Sequence, residues 1–296
     1  MACLLNHIKL LLPLVNKQLT RRYLHVTHAA FSNEKKYVES HENNGVRTIT
    51  LCDSESRNSL SLEMMKSLIW NINRDKDNLS LRSIVINSTP GKVFSAGHNL
   101  KELTSSKGIK YHEEIFSTAE YLMRQLKNSP VPIIAAVDGL AAAAGCQLVG
   151  ACDIVICTKT STFSTPGVNF GIFCSTPGIP LVRNVPKKVA AHMLFTGLPI
   201  DADQAFQAGL VSKIVSNENL DEQVKKTTEM INAKSRSVIE LGKKFLQEQM
   251  ELDSSTAYSY GTKVMIENLQ LKDAQEGIYS FIEKRQAKWI HTFDKS

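Results

Sequence analysis

The stretch PIIAAVDGLAAAAGCQL, residues 132–148, decides the fold. Its first six residues are apolar without alternation, the pattern of a strand buried on both faces. Asp138 and Gly139 supply a turn, and the run of small residues at 141–150 reads as the start of a helix packed close to its neighbours. Residues 153–157 form the next strand. Upstream, VRTITLC at 46–52 is a strand, 53–58 a polar turn, and Leu60, Leu62, Met65, Leu68 and Ile72 recur at helical spacing. A strand at 83–87 follows, Pro90 and Gly91 break the chain, 94–97 is a tight loop, and Asn99 with Glu102 has the form of a helix cap. Residues 111–126 are the next helix. Strand and helix thus alternate as far as residue 157, the mark of an α/β protein.

From Pro186 onward the pattern is helical, at 189–195, 201–208, 220–233, 238–249, 255–269 and 274–289. Only 210–215 still reads as a strand. There is neither a low-complexity linker nor a short-period repeat. The simplest organisation is one sheet-centred domain over 34–296, with a helical C-terminal part from about 217.

The 296 residues are 43% hydrophobic and 22% charged, the balance of a globular chain, and no cofactor class follows from it. Ahead of Glu34, the first acid, lie Lys9, Lys17, Arg21 and Arg22 among leucines, which is the composition of a mitochondrial transit peptide spanning 1–33. Those four charges account for most of the net +6 and leave +2 on the remainder, so nucleic acid has little support as a partner. No run approaches the roughly 20 apolar residues of a membrane span. Cysteines 3, 52, 146, 152, 157 and 174 show no paired spacing for zinc or a disulfide framework, and no metal is expected.

Three segments carry a resemblance in their order and spacing: VFSAGHNL (93–100), the quoted 132–148, and MLFTGLPIDADQAFQAGLV (193–211). With RNSLS (57–61) and FIEKR (281–285), the chain over roughly 40–290 resembles the crotonase (enoyl-CoA hydratase) superfamily. The resemblance implies a spiral of ββα units, assembly as a homotrimer or homohexamer through the C-terminal helices, and residence in the mitochondrial matrix. It also implies an acyl-CoA or enoyl-CoA ligand, with the thioester as substrate rather than any resident cofactor.

Such reactions place negative charge on the thioester oxygen and need two backbone N–H donors aimed at it. The resemblance assigns these to His98 and Ala144. The same small residues at 141–145 are also what close helix-to-strand packing requires. Hydration further needs two carboxylates for proton transfer, and at the two family positions this chain has Gln147 and Gly167. Asp138 and Asp153, beside strand ends, read as turn residues. Restoring both acids is expected to raise hydration, with a positive φ at Gly167 as the hazard.

His98, Asn169, Cys174, Ser175 and Thr176 are the polar candidates for the space left by Gly167, and Cys146 is a further, weaker nucleophile candidate. For CoA, the resemblance points to Arg57, Asn58, the backbone near Ala96, and Lys284 or Arg285. Three functions stand: a fatty-acid-metabolism protein that binds acyl-CoA with weak or absent hydratase activity, an enzyme of another thioester reaction (isomerase, decarboxylase or hydrolase), or a non-catalytic structural or regulatory subunit.

Overall fold

The computed structural model describes residues 35–296; the expected transit peptide lies outside them. Two sheets organise the chain. The first runs in the order β1 (Val38–Asn43), β2 (Val46–Leu51), β3 (Ser83–Ser88), β5 (Ile133–Val137), β7 (Ile154–Thr158) and β10 (Lys213–Val215). It is parallel except where β1 meets β2. The second runs β4 (Val93–Ser95), β6 (Leu140–Ala142), β8 (Thr162–Ser164) and β9 (Ile200–Asp201), parallel except for the last pair.

Successive strands go one to each sheet and are then followed by a helix. Thus β3 and β4 precede Ile109–Lys127, β5 and β6 precede Ala144–Gly150, and β7 and β8 precede Ser175–Asn184. This is the expected spiral of ββα units. An earlier turn of it survives as a single parallel bridge between Leu60 and His98.

All five residues of β5 are buried, as its unbroken apolar run requires. The main core lies on one side of the first sheet, around Ile49, Leu51, Met65, Leu68, Leu122 and Ile133. On the other side Val85, Ile134, Ala136 and Ile156 are covered by Leu220, Val224 and Ile231 of helix Leu220–Asn232. The two aspartates at strand ends are structural, as expected. Asp153 accepts from Ile133 N and from the buried Lys243 Nζ, both at 2.7 Å, and Asp138 Oδ1 accepts from Thr158 Oγ1 and Asn217 Nδ2. Residues 36–296 form one compact unit.

Several elements differ from the sequence reading. β1 went unread although Asn44 and Gly45, both at positive φ, form the hairpin that joins it to β2. Ala141 and Ala142 belong to β6, and the helix begins at Ala144 because Ala143 turns the chain. The loop expected at 94–97 begins as β4. The last strand covers only Lys213–Val215. Helix Ser175–Asn184 forms despite Pro177, Gly178 and Pro180. The helix expected over 274–289 is Lys272–Ile282; beyond it the chain folds back, with Trp289 Nε1 donating to Ala233 O at 2.9 Å and Lys295 bridging to Leu271.

Candidate functional site

The segments that follow β4, β6 and β8 meet at the C-terminal ends of these parallel strands. Gly97, at φ +87°, lies so close to the next segment that a Cβ on it would stand 2.8 Å from Ala142 O and 3.0 Å from Ala144 N. Leu60 holds the loop in place: its N–H donates to Gly97 O at 2.8 Å, and its carbonyl accepts from His98 Nδ1 at 3.2 Å. Ala143 N donates to Ser164 O at 2.9 Å and Ala143 O accepts from Gln147 N at 3.0 Å, so one residue ends the strand and opens the helix. Among the described residues no main-chain group engages the N–H of His98 or of Ala144. The two expected donors are thus without main-chain partners, on segments that Gly97 brings into close approach.

His98 Nδ1 carries its proton because it faces a carbonyl, and the buried Nε2 has no partner. Burial pushes the imidazole below its ordinary value, against the opposing effect of the Leu60 contact. The ring also packs edge-on to Phe116, with centroids 5.3 Å apart. Gln147 is buried and its Oε1 is without a partner. Thr165 was not singled out from sequence; its hydroxyl is fully buried and likewise unpaired. Only its place, one residue before Pro166, could have drawn attention to it.

Gly167 departs from the sequence expectation. Its φ is not positive, and the obstacle to a side chain is steric: the Ile172 carbonyl occupies the place of a Cβ, and Cys174 Sγ would be 2.7 Å away. The space expected to be open at this position is filled by the chain's own turn. Asn169 is directed at Gly197, and Ser175 Oγ donates to Phe173 O. Cys146 is buried, and burial pushes its thiol up to about 12 and raises that of Cys174 as well, a setting that disfavours the thiolate. Asn99 caps the short 3₁₀ turn Leu100–Glu102 through Lys101 N, as expected of a cap. The Glu102 carboxylate serves a different element, accepting from Leu62 N at 3.0 Å.

Of the expected CoA contacts, three come together. Arg57 and Asn58 both adopt positive φ, Arg57 is exposed, and Arg57 O accepts from Ala96 N at 3.0 Å. That bond uses the Ala96 N–H, so only the Ala96 carbonyl is left to offer. Asn58 is buried, with Oδ1 unpaired. Lys284 lies beyond the last helix and makes no hydrogen bond or ion pair with this loop among the described residues, and Arg285 is held by Glu276 and Glu283. No three potential metal ligands gather among the described residues, and no described helix is long and apolar enough to cross a membrane.

Comparison with known proteins agrees with this architecture. Human enoyl-CoA hydratase domain-containing protein 3, mitochondrial, is 48% identical over 259 residues, covering 88% of this chain and 85% of the human protein. The crystal structure of that human protein superposes with a TM-score of 0.84 at 47% identity, over 86% of this chain and all of the solved one. An enoyl-CoA hydratase from Mycobacterium smegmatis gives 0.83 at 37%, over 87% and 100%. Residues 41–292 match the family described as enoyl-CoA hydratase/isomerase, and the chain belongs to that family.

Proposed function

We propose that this chain is a mitochondrial acyl-CoA-binding protein of fatty-acid metabolism whose ordinary hydratase activity is weak or absent. What supports the reading is the approach of Gly97 to Ala144 N, together with the lack, among the described residues, of a main-chain partner for the N–H of His98 or of Ala144; we read these two groups as the donor pair. Paired main-chain donors of this kind stabilise the oxyanion of a thioester without moving during the reaction. Arg57, Asn58 and the Ala96 carbonyl form one neighbourhood for the CoA portion, and Lys284 would join it only from elsewhere in an assembly. Gln147 supplies no basicity, and the turn at Gly167 leaves no room for a second acid. The mitochondrial address rests on the acid-free basic leader and on the names of the similar proteins. Exposed Phe281, Ile282 and Tyr258 on the C-terminal helices support a homotrimer or homohexamer.

Calorimetric titration with butyryl-CoA, beside a crotonyl-CoA hydration assay, tests the reading. Micromolar binding with negligible hydration is expected. A flat titration at millimolar ester leaves the structural or regulatory subunit as the reading, and brisk hydration removes the claim that these two positions disable the site. A different thioester reaction remains the second reading, because His98 offers a neutral nitrogen base beside the donors.

A further inference from the structure

His291 sits where two hydrogen-bond donors meet. Its Nε2 lies 2.8 Å from Arg82 Nη1, and its Nδ1 lies 3.3 Å from Arg236 N. A guanidinium nitrogen and a backbone N–H can only donate, whereas a neutral imidazole has one acceptor nitrogen. The ring therefore satisfies one of these donors at a time, and a protonated ring satisfies neither. The charged groups that face it are Arg82, just before β3, Arg236 at the start of helix Arg236–Gln249, and Asp273 of helix Lys272–Ile282. Only Asp273 favours the cation, and its two oxygens already accept from Ile290 N, His291 N and Ser235 Oγ. Neither arginine is free to swing away: Arg82 also donates to the Asn232 and Lys234 carbonyls, and Arg236 to Leu81 O, Lys76 O and Glu240. His291 is moreover held at φ +65°, a left-handed conformation that release would relieve.

The ring fastens the segment that follows helix Lys272–Ile282. This strap is held as well by Trp289 Nε1 on Ala233 O and by the bridge between Leu271 and Lys295. Trp289 lies against Gly277, where a Cβ would stand 3.2 Å from the indole, and with Ile239, Leu269, Ile278 and Phe281 it lines a cavity of about 550 Å³. We infer that His291 is an acid-released latch: a proton on its ring sets two N–H groups against Arg82 and Arg236, and residues 284–296 lift away and open that apolar cavity. Burial first, then Arg82 and Arg236, hold the latched ring below its ordinary value against the pull of Asp273. The proton accordingly binds the lifted strap better. Lifting becomes easier as pH falls through the ordinary value of about 6.5, and gains nothing further below the depressed latched value. The device is independent of what the protein binds.

Hydrogen exchange of the full chain, read by mass spectrometry and corrected for the intrinsic pH dependence of each amide, tests the latch. Between pH 8 and 5.5 the protection of the Ile290 and His291 amides should fall towards a limit of about tenfold, the most that one proton with an ordinary value near 6.5 can supply. These amides should exchange well ahead of buried strand β5, the mark of a local opening. In His291→Gln the side chain offers Arg82 an acceptor and takes up no proton, so strap protection should stay level with pH. Unchanged strap protection in the unmodified protein, exchange in step with β5, or the same fall in His291→Gln would each overturn the inference. If His291→Gln does not fold, Arg82→Gln takes its place: loss of the cation should shrink the fall, and an undiminished fall overturns the latch.

Discussion

Gly167 and Ile172 are joined across the turn that follows β8: Ile172 N donates to Gly167 O at 3.0 Å, and the Ile172 carbonyl stands where a side chain on Gly167 would begin. Any larger residue at 167 must displace main chain, which does not yield as a flexible side chain would. Gly167→Glu is therefore expected to lower stability by about 1–3 kcal/mol, the usual cost of overpacking. Gln147→Glu combined with Gly167→Glu should not regain crotonyl-CoA hydration. Urea unfolding followed by the hydration assay checks both; a stable, active double variant would show that the turn opens in solution.

Ala143 holds φ +48° and ψ −117°, a conformation unfavourable for any residue with a Cβ. Such strain costs on the order of 1–3 kcal/mol, while glycine loses roughly 0.4–1 kcal/mol through its freer unfolded chain. Ala143→Gly should stabilise the protein by about 1 kcal/mol. The urea midpoint should rise at unchanged slope; a fall would mean that the Ala143 methyl makes a contact worth more than the strain.

Lys243 and Asp153 are a buried pair at 2.7 Å, and the ammonium also donates to Leu126 O and Val131 O. Asp153→Ala strands a cation in the interior and should cost about 3–5 kcal/mol. Lys243→Met leaves Asp153 with its Ile133 N donor and should cost less. Chemical denaturation of the two variants gives the order directly, and the reverse order would count against this account.

His98 and His291 both have lowered folded-state pKa values, chiefly through burial, and His291 Nε2 also faces Arg82 Nη1 at 2.8 Å. On acidification the unfolded chain takes up these protons first, so stability falls as pH drops through the ordinary imidazole value of about 6.5 and levels off below the depressed folded values. Stability measured from pH 8 to 5.5 should decline, and His291→Gln should flatten part of that decline. A stability that rises over this range would contradict the direction of both shifts.

Main-chain placement at the site was largely legible from residue order. The close approach of Gly97 to Ala144 was legible because glycine and alanine runs declare where backbones meet. Other features depend on partners distant in sequence. The apolar contacts that hold helix Ser175–Asn184 outweigh its Pro177, Gly178 and Pro180, and local propensity hides them. The hairpin before β2 was readable, since Asn44 with Gly45 is its direct signal. The obstacle at Gly167 was not readable, because it comes from a carbonyl five residues away that only the folded turn brings back. The same holds for Thr165, whose isolation is a property of its surroundings.

Leu60 is gripped at both main-chain atoms, by Gly97 and by His98, and its side chain is buried immediately ahead of helix Leu62–Asn73. Two hydrogen bonds tie the loop at 97–98 to the residue that leads into that helix, so the loop follows the helix when it shifts. Packing changes beneath the helix, at the buried Leu68 or Ile72, will thus reach this loop as well as lower stability, and displacements near 1 Å are enough to weaken an oriented site.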